Sequence, residues 1–445
     1  MPRLIIGHVD HKSARIWTRG QESRPVAQLE VLASDGSPVA FKTINLEERH
    51  FYTGVFEISG LKPDTRYTCG VGLRSAQNPA DVLVPEYGSG TFRTQTAPDQ
   101  QSAFSFLLVS CNLHSLGVVT PADDAYRKLS ALAKKHDARF SIHCGDQIYY
   151  DVPQWGRDPD VDEYRDTYLD AWGDCEPTAQ FLTELPHYMI LDDHEIIDDF
   201  ACDRKLTSGA PNHVQLALAT KVYREFQHIH NPQSFGSGPL YYKFDAGAAR
   251  FFVFDTRTER FSGEGEGPQE MISPEQFAHF RSWLKSNRDR QLFIVTSIPF
   301  VARVRKSKDK WSSVSYRVQR EKILELIWNE EARRVCFLTG DMHNSQHATV
   351  RLTGSGKGDI VVHELMSSPV NQLGKNRFDA YHPGKEDAAR TGLPFSYSTD
   401  LKKSEFYTGH SNAMVISVTK SKVNWEIHRT KKTEIKPELA GSFPF

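Results

Sequence analysis

Five apolar segments of this 445-residue chain each stop at residues able to bind a metal or move a proton. FSFLLVS ends at Cys111-Asn112, with His114 just beyond. ARFSIHC runs into Gly145-Asp146 and then Tyr149. HYMIL opens into Asp192-Asp193-His194-Glu195 and, past two isoleucines, Asp198-Asp199. ARFFVF ends at Asp255-Thr256-Arg257, and VCFLT at Gly340-Asp341-Met342-His343. One polar residue at a strand exit is turn chemistry. Five such exits in succession, rich in Cys, Asp, Tyr, His and Arg, point to a shared site.

The chemistry that fits is a two-metal hydrolytic centre. A bridging carboxylate lies between two cations, a bound water ionises near neutral pH, and the cations neutralise charge on phosphoryl oxygens. Asp146 is the natural bridge, because Gly145 lets the chain turn sharply and present the carboxylate. Tyr149 suits a hard, high-valent iron as a phenolate, and Cys111 offers a thiolate. Asp341 and His343 reach one site together only from an extended or looping segment, which a strand exit supplies. The carboxylates after HYMIL repel one another unless cations or Arg neutralise them. His194 either bonds a backbone carbonyl or protonates a leaving alkoxide. Arg257 either pairs with Asp255 or holds phosphate oxygens with its fork. Asn112 and His114 are candidate phosphate contacts. His363-Glu364 and Ser367 to Asn371 follow another strand and are candidate pocket lining. Trp311, in KDKWSSVSYR, is placed on a mobile loop as a candidate stacking residue.

The elements that must position these residues are α/β in pattern. From residue 103, the apolar strands alternate with amphipathic stretches: PADDAYRKLSALAKKH, VQLALATKVYREFQHI, PEQFAHFRSWLKSN and REKILELIWNE. Ser273-Pro274-Glu275-Gln276 supplies an N-cap, an N1 proline and a capping-box Gln. Open α/β sheets present ligands at the carboxyl ends of their strands. Residues 1–98 instead read as short alternating strands, and SGLKPDTRY resembles the tyrosine corner of fibronectin-III and immunoglobulin-like sandwiches. The expected organisation is therefore a β-sandwich domain over 1–98, a polar linker, and a catalytic domain over 103–445. SGEGEG, at 262–267, reads as a surface loop.

Gly-Asp-x-x-Tyr and Gly-Asp-x-His resemble the motifs of calcineurin-like metallophosphatases, with the Tyr of the purple-acid-phosphatase type. The fuller set is similar to the PhoD-like alkaline phosphatase D family: SCN at Ser110 to Asn112, GDQIYYD, DDHEIIDD, DTR at Asp255 to Arg257, and GDMH, preceded by GHVDHKSARIWTR. The resemblance implies a metallophosphatase sandwich of mixed sheets flanked by helices, behind a small β domain. It implies iron (Fe3+) on Cys111, Asp146, Tyr149 and His343. Calcium would share Asp146 and take Asp341 with Asp193 or Asp198. The family usually carries an Asn pair where Asp198-Asp199 stand here, which leaves the second metal open. The activity implied is hydrolysis of phosphate monoesters and diesters.

Composition is ordinary globular, with 39% hydrophobic and 25% charged residues. A formal net charge of −2 gives no bulk attraction to nucleic acid, so a small phosphate ester is the expected partner. No apolar stretch approaches the roughly 20 residues of a membrane helix. MPRLIIGHVDHKSARIW alternates like a strand, without signal-peptide layout or twin Arg, so a cytoplasmic location is expected. The cysteines 69, 111, 144, 175, 202 and 336 form no CxxC pair and suggest no disulfide framework. Two other readings stay open: a binding protein built on a metallophosphatase scaffold, and a hydrolase of a non-phosphate or lipid-linked ester.

Overall fold

The computed structural model describes residues 3–76, 87–98, 100, 102–114, 123–152, 159–174, 176–200, 211–261 and 269–445. Cys175, Cys202 and the 262–267 loop lie outside the described residues. Among the described residues, seven strands fill the N-terminal region: β1 (Leu4–Val9), β2 (Ser13–Arg19), β3 (Val26–Ala33), β4 (Pro38–Asn45), β5 (Thr53–Ser59), β6 (Arg66–Arg74) and β7 (Gly88–Arg93). They form two antiparallel sheets, β1-β2-β5 and β4-β3-β6-β7, whose inward residues share one core with Ile16, Leu29, Phe56, Val71 and Phe92. The alternation seen in the sequence is this in-and-out pleat. The Lys62 N–H donates to the Tyr67 hydroxyl at 2.9 Å, so the corner predicted at SGLKPDTRY forms. The β1-β2 pair also packs against the α/β region: the Trp17 indole N–H donates to the Glu225 carbonyl at 2.8 Å, and Ile5 and Trp17 join a core with Met189 and Phe226.

The remaining strands are β8 (Phe104–Val109), β9 (Ala138–Cys144), β10 (His187–Ile190), β11 (Tyr242–Ala246), β12 (Ala249–Val253), β13 (Gln291–Val295) and β14 (Val335–Thr339). They continue as β15 (Ser345–Thr353), β16 (Ile360–Met366), β17 (Gly384–Glu386), β18 (Ser396–Tyr407), β19 (Asn412–Val418), β20 (Lys422–Arg429) and β21 (Leu439–Pro444). One sheet runs β10-β9-β8-β19-β20-β21, the other β11-β12-β13-β14-β16-β15-β18-β17. In the first, β8, β9 and β10 are parallel and β19 to β21 antiparallel; in the second, β12, β13, β14 and β16 are parallel. Mixed sheets of this kind keep the exits that carry Cys111, Asp146, Asp192, Asp255 and Asp341 at the ends of parallel strands.

The two sheets close face to face over Phe106, Leu108, Phe140 and Ile142 on one side and Phe251, Val253, Phe293 and Leu338 on the other. Edge-to-face rings lock the seam, with Phe106 and Phe251 centroids 5.8 Å apart. Helices cover the outer faces. α1 (Asp123–Lys135) lies on β8 and β19 through Leu129 and Leu132. The helices Val161–Leu169 and Pro211–Phe226 cover the β10 side, and Pro274–Asn287 and Arg317–Asn329 cover the second sheet. The helix predicted from Pro274 begins as expected, its Ser273 hydroxyl accepting from the Gln276 N–H at 3.1 Å. The C-terminal tail forms edge strand β21 against β20, rather than a cover over the strand exits. Among the described residues, no helix is long and apolar enough to cross a membrane.

Candidate active site

The exits of β8, β9, β10, β12 and β14 converge. Gly145 has a φ of 85°, and a Cβ there would overlap that of Asp192, so glycine is what lets β9 and β10 turn against each other. Past it, Cys111, Asp146, Asp341 and His343 all hold left-handed backbone, with φ of 60°, 54°, 71° and 51°. Such conformations cost of order 1 kcal/mol or more each in non-glycine residues and survive only where the surroundings hold them.

One group is continuous. The Cys111 thiol lies 3.2 Å from Asp146 Oδ2, and the Tyr149 hydroxyl lies 3.4 Å from the same oxygen and 3.3 Å from His343 Nε2. All four are buried. Ser368 donates its hydroxyl to Cys111 Sγ at 3.1 Å and accepts the His343 N–H at 3.0 Å, fixing both. The four residues expected around iron therefore meet. A second group adjoins it. Asp146, Asp193 and His194 offer ligand atoms within 4.8 Å of one another, and so do Asp192, Asp193 and Asp341. Asp193 belongs to both, whereas Asp198, which also lies near Asp193 and Asp199, has a side chain 73% exposed. Of the two alternatives, Asp193 is the one that stands beside Asp146; Asp198 stands at the rim.

His194 is held from behind: its Nδ1 lies 2.7 Å from Asp151 Oδ1, and its ring lies over Tyr149 at 4.1 Å between centroids. Burial opposes its charge, yet Asp146, the Asp151 bond and Asp193 raise its pKa to about 10. Asn112 is buried and ties two exits together, its amide donating to the Gln147 carbonyl at 3.4 Å. His114 is partly exposed at the end of the same segment.

Several expectations are corrected. Arg257 does not pair its side chain with Asp255; that carboxylate caps its own turn, accepting the Arg257 and Thr258 N–H groups. The guanidinium is fully buried, with Nε on Asp192, Nη1 on the Phe200 carbonyl and Nη2 3.4 Å from both Asp193 and Asp309. Its donors meet Asp192, Asp193, Asp309 and the Phe200 carbonyl, so it positions the Asp192 and Asp193 carboxylates. Glu195 is no ligand either. Its Oε2 accepts the Asp146 and Asp192 N–H groups at 2.9 and 2.8 Å, and its Oε1 accepts the Gln147 N–H at 2.7 Å. Trp311 is core, donating to the Thr296 hydroxyl at 3.1 Å. Glu364 caps the chain at Phe300, Val301 and Ala302, and His363 stacks on Phe443, so neither lines the site.

Sequence reasoning missed Lys310, the neighbour of Trp311. Its ammonium lies 2.7 Å from Asp341 Oδ2 and 2.6 Å from Asp309 Oδ2. A basic residue in a polar segment carries no signal of this; only the register of the 304–316 segment places it. Asp151, the last residue of GDQIYYD, was visible but had no assigned partner.

The arrangement fits metals. Burial, the first cause, drives the carboxyl of Asp146 well above its usual range and that of Asp341 to about 7. Asp193 is instead brought down, to about 2, where Arg257, His194 and Lys310 outweigh its burial. Asp146 Oδ1 and Asp192 Oδ2 are buried without a hydrogen-bond partner. Carboxylates packed this closely stay ionised when cations sit among them. The donor types also divide: thiol, phenol and imidazole lie on one side of Asp146, and carboxylate oxygens with the His194 imidazole on the other.

The PhoD-like phosphatase family model matches residues 106–427. A solved structure described as that of PhoD aligns at a TM-score of 0.73 and 18% identity, covering 99% of this chain and 88% of that one. Purple acid phosphatase PPD1 from yellow lupin (Lupinus luteus) seeds aligns at a TM-score of 0.64 and 12% identity, covering 99% and 73%. At these identities the two structures speak to the fold, and no curated protein matches. With the family model spanning well over half its length, the chain belongs to the PhoD-like phosphatase family.

Proposed function

We propose that the protein hydrolyses phosphate monoesters and diesters at a centre holding iron and calcium. The observation that carries this reading is the unbroken contact from Cys111 through Asp146 and Tyr149 to His343, joined at Asp146 to the Asp193 and Asp341 carboxylates. Cys111, Tyr149 and His343 would hold iron, Asp193 and Asp341 the calcium, and Asp146 both. Bound there, the metals would lower the pKa of attacking water and neutralise charge on the phosphoryl oxygens.

The chain's own side chains do the rest. Ser368 fixes the Cys111 thiol and the His343 backbone, and Glu195 fixes the backbone of Asp146. Arg257 holds Asp192 and Asp193 in place and, against burial, keeps the Asp193 carboxyl below its usual range. Asp151 holds the Nδ1 of His194, which leaves its other nitrogen to carry a proton to the leaving alkoxide. Asn112 and His114, at the β8 exit, would contact the substrate.

The test is chelation and reloading. Metal-stripped protein should lose hydrolysis of p-nitrophenyl phosphate and bis(p-nitrophenyl) phosphate, and iron plus calcium should restore both. Undiminished turnover after complete stripping would remove the metal reading. A protein that binds stoichiometric metal but hydrolyses no ester of a broad panel would favour a binding role on this scaffold.

A further inference from the structure

A second set of metal-type ligands lies away from the strand exits, where α1 ends against β20. On an antiparallel pair, directly opposed residues share a face. His428 opposes Ala413 and Glu426 opposes Val415, and Ala413 and Val415 face α1. Glu426 and His428, two apart on one strand, therefore point to the helix side. His136 follows the last residue of α1, its N–H still bonded to the Leu132 carbonyl at 3.0 Å. His428 Nε2 lies 3.0 Å from Glu426 Oε2, and His136 Nε2 lies 3.9 Å from that same oxygen. One ligand atom from each of the three falls within 4.8 Å of the others. Ligand atoms about 2.0–2.2 Å from a common tetrahedral zinc are themselves roughly 3–4 Å apart.

Two further observations separate this cluster from ordinary polar packing. His428 is fully buried, and among the described residues the buried His136 Nε2 has no hydrogen-bond partner. The nearby lysines do not fill the space: Lys128 donates to the carbonyls of Lys432, Thr433 and Glu434, and Lys135 to that of Ile435 at 2.9 Å. The carbonyl end of α1 also favours a cation there. Burial lowers the pKa of both imidazoles, which keeps them neutral and able to ligate near pH 7.

We propose that His136, Glu426 and His428 bind a divalent transition cation of the zinc class, clamping the end of α1 to β20. Two imidazoles and one carboxylate are a nitrogen-rich donor set, which selects zinc-type cations over calcium or magnesium. The clamp stabilises the sheet-to-helix packing and takes no part in ester hydrolysis.

The test uses the holoenzyme with its catalytic metals in place. Wild type, His136→Ala and Glu426→Gln proteins are dialysed against Zn2+ alone, and bound metal is counted by elemental analysis. Both replaced residues are partly exposed and lie outside the catalytic centre, so the variants should keep wild-type turnover before zinc is added. Wild type should take up roughly one more zinc per chain than either variant. Its unfolding temperature should rise with Zn2+ and not with Ca2+, a rise both variants lose. Equal zinc uptake by all three proteins, or no uptake by wild type at high micromolar Zn2+, would overturn the proposal.

Discussion

Glu195→Gln separates a residue that builds the site from one that works in it. The carboxylate receives four donors: Asp146 and Asp192 N–H on Oε2, and Gln147 N–H and the Gln227 amide on Oε1. An amide keeps one oxygen. If that oxygen stays toward Asp146 and Asp192, Gln227 can flip, because its own Oε1 has no partner. The Gln147 N–H is then stranded, which costs about 1–3 kcal/mol, and two charge-assisted bonds become neutral ones at roughly 1 kcal/mol each. Relief of repulsion among the neighbouring carboxylates returns part of this, leaving a net loss of about 3 kcal/mol. For a chain of this size a kcal/mol shifts Tm by about 1 °C, so a drop of about 3 °C is expected. Asp146 and Asp192 are carried on the backbone that Glu195 anchors, and a displacement of about 1 Å costs on the order of 100-fold in rate. Thermal unfolding and kcat on p-nitrophenyl phosphate should therefore fall together, with metal content reduced. A variant with wild-type Tm and wild-type kcat would refute the stapling role. Lost turnover at unchanged Tm and metal content would instead place Glu195 in the chemistry.

Other outcomes rest on the same contacts. Tyr149→Phe should abolish the visible tyrosinate-to-iron band of the purified protein while leaving it folded; an unchanged spectrum would remove Tyr149 from the iron. Asp151→Asn releases Nδ1 of His194 and should lower kcat by about 10–100-fold with little change in bound metal; full activity would show that His194 needs no such holder. His228 and His230 are buried, and burial lowers both to about 3. As pH falls below the usual imidazole value the unfolded chain takes up protons that the folded chain refuses. Stability is thus lost from about pH 6.5 downward, by about 1–2 kcal/mol for each residue at pH 5. The difference in unfolding free energy between pH 7.5 and 5 should shrink in His228→Gln, and an identical pH dependence in the variant would contradict this.

The chemistry of the exits was legible because strand ends carry it in local order. Apolar runs and spacing marked Cys111, Asp146, Tyr149 and His343 as exit residues, the resemblance of their motifs to a known family grouped them, and the structure brings them into contact. The parallel strands and the four main helices were legible for the same reason. What was hidden are roles set by distant contacts. Arg257 sits next to Asp255 in sequence, but its fork meets Asp192 and Asp193 across the β10 exit. Glu195 looks like any member of an acidic loop until three backbone N–H groups close on it. Lys310 and Trp311 share one polar stretch, yet the indole enters the core and the ammonium reaches Asp341. Strands β15, β18, β20 and β21 were also missed, since their mixed polar and apolar residues resemble a loop until a neighbouring strand pairs with them.

The most direct measurement is the metal content and turnover of Asp146→Asn protein beside wild type. Asp146 joins the two ligand groups, so its loss should empty both and reduce hydrolysis of both esters to background in a folded protein. Retention of wild-type metal and turnover by the folded variant would contradict the bridging role and the two-metal centre built on it.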